Sequence, residues 1–240
     1  MAAPETQDMR VQALERELGE FAYIVSHDLA ACFRHIRGFS ELIIQDAGSG
    51  FTPDHWSYCN QIHGAAEKCA VMLEQVLLYS RTTRKMLDIV PTDFAPLLDA
   101  AQLQLGAEIR TSGAQILATG TARLAVDREL FIQALRHLLG NAIKYRRPGI
   151  TPRVTVDVAQ DGGETRIRIG DNGIGLPPAM DAEKLFWMFH RGQGEGEYPG
   201  CGTGLTFARR ILRRHGGDVR FLPAAEGTWV EMLLPGAKPP

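Results

Sequence analysis

From Gln7 to Ala47 the chain contains no proline, and apolar side chains return in steps of three, four and seven: Leu14, Leu18, Phe21, Val25, Cys32, Ile36, Phe39 and Ile43. That period predicts one long amphipathic helix. Gly48, Ser49 and Gly50 interrupt it, and Thr52 and Pro53 are placed to start a second helix. The second helix should run to about Arg84, with Trp56, Cys59, Ile62, Ala66, Cys69, Leu73, Val76 and Leu77 on its apolar side. Two helices joined by a short loop predict an antiparallel hairpin. A single hairpin cannot cover both apolar stripes, so the expected assembly is a homodimer in which two hairpins form a four-helix bundle.

The segment from Arg81 to Val90 is polar and ends at Pro91, which reads as a linker and divides the chain into residues 1–86 and 87–240. Helix is expected again over Pro96 to Ala107 and over Arg128 to Tyr145, where Leu130, Ala134, Leu138 and Ile143 share one side. Short strands are expected at Gln115 to Ala118 and Arg123 to Val126. Val154 to Val158 and Thr165 to Ile169 alternate apolar and polar residues around Asp161-Gly162-Gly163, which is a hairpin pattern. A helix from Leu205 to His215, stopped by Gly216 and Gly217, precedes two last strands at Val219 to Leu222 and Trp229 to Leu234. The predicted fold class is therefore an α-helical hairpin followed by an α/β sandwich.

Composition narrows the partners. The chain has 240 residues, 45% of them hydrophobic and 22% charged, and a formal net charge of -2. It can bury a core, and it carries no basic run that would suit nucleic acid or a polybasic membrane contact. No apolar stretch reaches the ~18 residues of a membrane span. Cys32, Cys59, Cys69 and Cys201 stand apart with no C-x-x-C pair, which fits neither a zinc ribbon nor a disulfide scaffold and points to a reducing cytoplasm.

Three patterns carry chemistry. Asp171-Asn172-Gly173-Ile174-Gly175 follows a strand, so its glycines let backbone approach a ligand while the carboxylate can accept a hydrogen bond from an exocyclic amine such as that of adenine. Alone, it also fits an ordinary strand-to-turn junction. Gly200-Cys201-Gly202-Thr203-Gly204 opens a helix, and backbone N–H groups there suit phosphate oxygens. No Gly-Lys-Ser/Thr follows, so this is not a P-loop. His137, Asn141 and Lys144 stand at i, i+4 and i+7 on one helix face, where an amide and an ammonium can serve a magnesium ion and a phosphate.

The run His137 to Tyr145, then Asp171 to Gly175, then Phe186-Trp187-Met188-Phe189-His190-Arg191, then Gly200 to Gly204 resembles the N, G1, F and G2 boxes of sensor histidine kinases. Phe21 to Leu29, containing Ser26-His27-Asp28, with Arg37-Gly38-Phe39-Ser40 downstream, resembles the phosphoacceptor box of the same family, in a style similar to its phytochrome-like group. The resemblance runs from about Leu14 to Leu234. It implies ATP and Mg²⁺ as cofactors, with Asn141 on the metal, Lys144 and Arg191 on the phosphates, Tyr145 packed on the nucleotide and Asp171 on the adenine amine. Gly173, Gly175, Gly200, Gly202 and Gly204 would form the binding loops. His27 would be the phosphorylated nucleophile, with Asp28 as its hydrogen-bond acceptor or base. The implied partners are a response regulator receiver domain, a second copy of the chain, and an upstream sensor domain or protein. Phosphorylation in cis or in trans would depend on the hand of the hairpin connection.

Departures from the family pattern carry expectations of their own. The family usually has a polar residue and then proline at the fourth and fifth positions after the phosphoacceptor, where this chain has Ala31 and Cys32. Alanine cannot position a hydrolytic water, so phosphatase activity should be weak, and without proline the helix should be straighter. His137 stands where asparagine is usual, which should add pH sensitivity and lower ATP affinity. The short, glycine-rich segment between Phe189 and Gly200, with Glu195 and Glu197, should be mobile without nucleotide. Apart from the family-pattern departure at His137, all six of His35, His55, His63, His137, His190 and His215 read as surface residues. Two other classes compete: a non-catalytic phosphotransfer or docking module with a decayed ATP site, and an ATPase of the wider superfamily. Intact Asn141, Asp171 and glycines oppose the first, and the Ser26-His27-Asp28 hairpin opposes the second.

Overall fold

The computed structural model describes residues 29, 33–45, 50–84, 86–161, 163–177, 180–192, 198 and 200–236. The chain separates into two compact units, residues 1–85 and 86–240.

In the first unit, residues 33–45 form helix α1 and Pro53–Arg84 form the 32-residue helix α2. Pro53 opens α2 as its first residue, where the missing N–H costs nothing, and Thr52 Oγ1 accepts the N–H of His55 at 3.4 Å. The two helices meet at Ser40, a buried serine on α1 whose hydroxyl lies 3.4 Å from His63 Nδ1 on α2. Much apolar surface stays open: Ile36, Phe39, Leu42 and Ile43 on α1 and Tyr58, Ile62, Val71 and Leu78 on α2 are all exposed. Among the described residues no helix is long and apolar enough to cross a membrane.

The second unit begins within the segment that reads as a linker, with residues 86–89 in neither helix nor strand. Helix α2 continues through Arg84, and β1 (Val90–Asp93) includes Pro91. Proline is tolerated there because β1 pairs only with β3 (Arg123–Val126), in a two-stranded antiparallel ribbon. The helix expected over Pro96 to Ala107 is two helices, α3 (Phe94–Gln104) and α4 (Gly106–Ser112), because the last turn of α3 closes at Leu105 and Gly113 ends α4 in the left-handed region at φ 68°.

A five-stranded sheet follows the order β2-β4-β5-β7-β6, built from β2 (Gln115–Thr119), β4 (Arg153–Asp161), β5 (Glu164–Asp171), β6 (Asp218–Leu222) and β7 (Trp229–Pro235). Only the β2–β4 pair is parallel. Alternation decides the faces: Ile167 and Ile169 point into the core while Arg166 and Arg168 are exposed. Helix α5 (Arg128–Lys144) lies between α3 and α6 (Gly204–Arg214) and contacts β4 and β5. It buries Leu130, Phe131, Ala134, Leu135, Leu138, Leu139, Ala142 and Ile143 in one continuous core with Leu97, Ile211, Leu212 and Met232.

Asp127 caps α5 through Oδ1, which accepts the N–H of Leu130 at 3.1 Å, while Oδ2 accepts that of Asp88 at 3.2 Å. The Asp127 N–H in turn donates to His215 Nε2 at 2.9 Å, and His215 Nδ1 donates to the carbonyl of Ile211 at 2.7 Å. His215 is thus a buried joint between the start of α5 and the end of α6, and not the surface residue that its polar sequence neighbours suggest.

Candidate nucleotide site

The site grows from the C-terminal end of α5. Tyr145 closes that helix by donating its N–H to Asn141 O at 3.0 Å, and its own carbonyl accepts the N–H of Ile174 at 3.0 Å. The loop after β5 is therefore seated on the helix end. Gly173 is required at this contact, since a Cβ there would collide with the Tyr145 carbonyl oxygen. Arg147 Nε donates to Gly173 O at 2.9 Å from the other side of the same turn.

Asp171 is the last residue of β5, and its Oδ1 accepts two backbone N–H groups, from Gly173 at 2.8 Å and Thr228 at 3.1 Å. Burial pushes its carboxyl above the usual range, and the bonds from Gly173 and Thr228 oppose that. The Thr228 side chain adds a further hydrogen bond to this carboxylate, which is the group suited to accept from a ligand amine. Gly175 stands at φ 75°, where a Cβ would come 3.1 Å from Gly227 O. Gly227 and Thr228 are site residues that local sequence does not reveal. They reach Asp171 because β7 lies beside β5, with Gly170 opposite Trp229.

The phosphate side is built from the other boxes. Lys144 Nζ lies 4.3 Å from the Tyr145 ring centre. At Gly200, φ is 122° and a Cβ would stand 3.3 Å from that same Nζ, so the first glycine of its box is placed directly at the ammonium. Gly202 (φ 72°) approaches the His190 carbonyl and the Arg191 side chain too closely for any Cβ. Gly204 opens α6, where a Cβ would stand 3.3 Å from His137 Nδ1. The His137 ring stacks on Phe207 of α6 at 5.7 Å and 19°, and burial together with Arg136 lowers its pKa to about 4. The imidazole is neutral at physiological pH and adds no charge to the site.

Phe189 is the one non-glycine residue at positive φ (66°) among the described residues, with its N–H bonded to Gly202 O at 3.1 Å. Such a backbone costs about 1–3 kcal/mol and is held only by its surroundings. Arg191 Nη2 donates to Tyr198 O at 2.6 Å, and Tyr198 packs on Tyr145.

Of the residues marked by sequence, Lys144, Tyr145, Arg191, Gly200, Gly202 and Gly204 lie in one neighbourhood, and Asp171, Gly173 and Gly175 join it through Tyr145 O. Asn141 stands on α5 one turn after His137 and one turn before Tyr145. His27, Asp28, Ala31, Cys32, Glu195 and Glu197 lie outside the described residues.

The residues suit a nucleotide. Backbone without room for side chains, two cations beside it and a half-buried carboxylate are the kinds of group that would serve phosphate, charge and base respectively. For Mg²⁺ the fit is that of an ion shared with its substrate. Among the described residues no group of three His, Cys, Asp or Glu can hold a metal, and Mg²⁺ characteristically takes one or two protein oxygens plus phosphates and water. The Asn141 amide oxygen is the protein ligand on offer.

Residues 126–238 match the family described as histidine kinase-, DNA gyrase B- and HSP90-like ATPases. The methanogenesis regulatory histidine kinase FilI of Methanothrix harundinacea is 33% identical over 228 residues, covering 94% of this chain and 25% of FilI. The phytochrome-like protein Cph1 of Synechocystis sp. is 24% identical over 203 residues, covering 85% of this chain and 27% of Cph1. Full-length ShkA, solved in complex with AMPPNP, shares the fold with a TM-score of 0.62 at 22% identity, over 92% of this chain and 46% of ShkA. The chain is similar to sensor histidine kinases over nearly its whole length, and its residues 126–238 carry the match to the ATPase family. It spans about a quarter of the length of these curated relatives.

Proposed function

We propose that the chain is an ATP-dependent protein-histidine kinase that phosphorylates its own His27 and passes the phosphoryl group to an aspartate on a response regulator receiver domain. The observation that carries this reading is the meeting, at the end of α5, of Gly173 on the Tyr145 carbonyl and Gly200 on the Lys144 ammonium. ATP bound there, with Mg²⁺, supplies a γ-phosphoryl group whose transfer needs positioning and charge neutralisation more than covalent chemistry.

In this reading the Asp171 carboxylate selects the adenine amine, and Tyr145 packs on the nucleotide. Lys144 and Arg191 neutralise phosphate oxygens while Asn141 holds the metal. A neutral His27 nitrogen attacks phosphorus, the bond from phosphorus to the ADP oxygen breaks, and Asp28 accepts the hydrogen bond or proton of the other ring nitrogen. The exposed apolar residues of α1 and α2 support a homodimer through the hairpin. A sensor domain or sensor protein acts upstream. Ala31 leaves dephosphorylation of the regulator weak.

The test is incubation with γ-labelled ATP and Mg²⁺, beside a His27→Gln variant. Acid-labile, base-stable label on the parent alone is expected, and a phosphorylated regulator should decay no faster with the protein than without it. No label together with no nucleotide binding by calorimetry would turn the reading to a non-catalytic phosphotransfer or docking module.

A further inference from the structure

Two residues assigned above to the nucleotide, Tyr145 and Arg191, are engaged by one residue that no motif includes. The Tyr198 ring lies 5.1 Å from that of Tyr145 at an angle of 57°. Its hydroxyl donates to the carbonyl oxygen of Arg146 at 3.1 Å, and its own carbonyl accepts Arg191 Nη2 at 2.6 Å. The aromatic surface of Tyr145 and the guanidinium of Arg191 are therefore held by side chain and backbone of the same residue. We propose that Tyr198 sets the nucleotide affinity of the site: it serves as an internal ligand of Tyr145 and Arg191, and an adenine nucleotide binds by displacing it. This rests on the function proposed above.

The chemistry of the contacts fits a competitor. A phenol ring offers Tyr145 an aromatic face, as an adenine or ribose edge would, and a carbonyl oxygen offers Arg191 the kind of acceptor that a phosphate oxygen offers more strongly. Each contact is individually modest, so the residue is displaceable and does not lock the site. A ligand that requires a minor state has its apparent affinity lowered by the fraction of molecules in that state. Removing the ring should raise that fraction. An ordinary nucleotide contact behaves in the opposite way, because its removal weakens binding, so the sign of the change separates the two roles.

The experiment is calorimetric titration of the full chain with Mg-AMPPNP for the parent, Tyr198→Ala and Tyr198→Phe, each shown to be folded by circular dichroism. Tyr198→Ala should bind roughly 3- to 10-fold more tightly, with Tyr198→Phe between it and the parent, since only the bond to Arg146 is lost there. Binding by Tyr198→Ala that is equal to the parent's or weaker overturns the inference while leaving the kinase reading in place. Binding by Tyr198→Ala alone supports it in its strongest form. If neither protein binds, the nucleotide reading has failed and the competitor role fails with it.

Discussion

At the scale of single residues, His137 is the position whose environment most changes its chemistry. Its ordinary pKa of 6.5 falls to about 4, first through burial and then through Arg136. Between those two values the unfolded chain carries a proton that the folded chain does not, so its contribution to stability is complete above pH 6.5 and is lost as pH falls toward 4. From pH 6.5 to 5.5 this amounts to about 1 kcal/mol. Urea unfolding at the two pH values should show that loss, and His137→Asn should remove it while leaving a smaller slope from His215, whose pKa burial also lowers. An unchanged slope in His137→Asn would mean that the ring is solvated. The same scale separates what sequence can and cannot reveal. Asp171, Gly175, Gly200 and Gly202 are legible because each requirement is local, a carboxylate at a strand end or a φ that only glycine readily adopts. Thr228 and Tyr198 are illegible because their partners, Asp171 and Tyr145, lie 57 and 53 positions away.

At the scale of elements, Arg209 of α6 ties the short 3-10 helix Ala182–Phe186 to β6. From α6 its Nη1 reaches Glu183 Oε2 at 2.6 Å, in the short 3-10 helix Ala182–Phe186, and its Nε reaches Asp218 Oδ1 at 2.9 Å on β6. Its guanidinium lies 4.5 Å from the Phe186 ring centre. Arg209 is mostly buried but Glu183 is mostly exposed, so the two sides of this bond should differ in weight. Arg209→Met should cost about 1–2 kcal/mol in urea unfolding through lost bonds and stacking, whereas Glu183→Gln should cost no more than about 0.5 kcal/mol. Equal effects would assign the energy to the exposed ion pair. Elements with a clean period, such as α2, α5, and the β4–β5 hairpin, stand within a residue or two of their sequence expectation, except that β4 and β5 run a few residues longer. The misreadings occur where a local rule was overruled. Pro91 reads as the end of a linker until β3 supplies a one-sided partner, and α3 and α4 read as one helix because Leu105 continues the helical spacing of the apolar Leu98 and Ala101.

At the scale of the whole molecule, the division at residues 85 and 86 predicts two unfolding events. In calorimetry of the full chain, Mg-AMPPNP at about 100 times its Kd should stabilise the unit containing the glycine boxes by about 2.7 kcal/mol, moving that transition upward by roughly 5–10 °C. The transition of the helical unit should stay in place. Movement of both would mean that the units unfold as one. What the sequence determined alone is everything that repeats or recurs locally: helix α2, the alternating hairpin, the order of the boxes and the residue types suited to a nucleotide. These follow from side-chain period and backbone restriction, which act over a few residues. Tertiary structure alone decided that Gly173 sits on the Tyr145 carbonyl and that Thr228 shares Asp171. It also decided that His215 joins two helices and that Tyr198 fills the space before Tyr145. Such contacts depend on which strand lies beside which and which helix end meets which loop, and that choice is made by burial of the whole core.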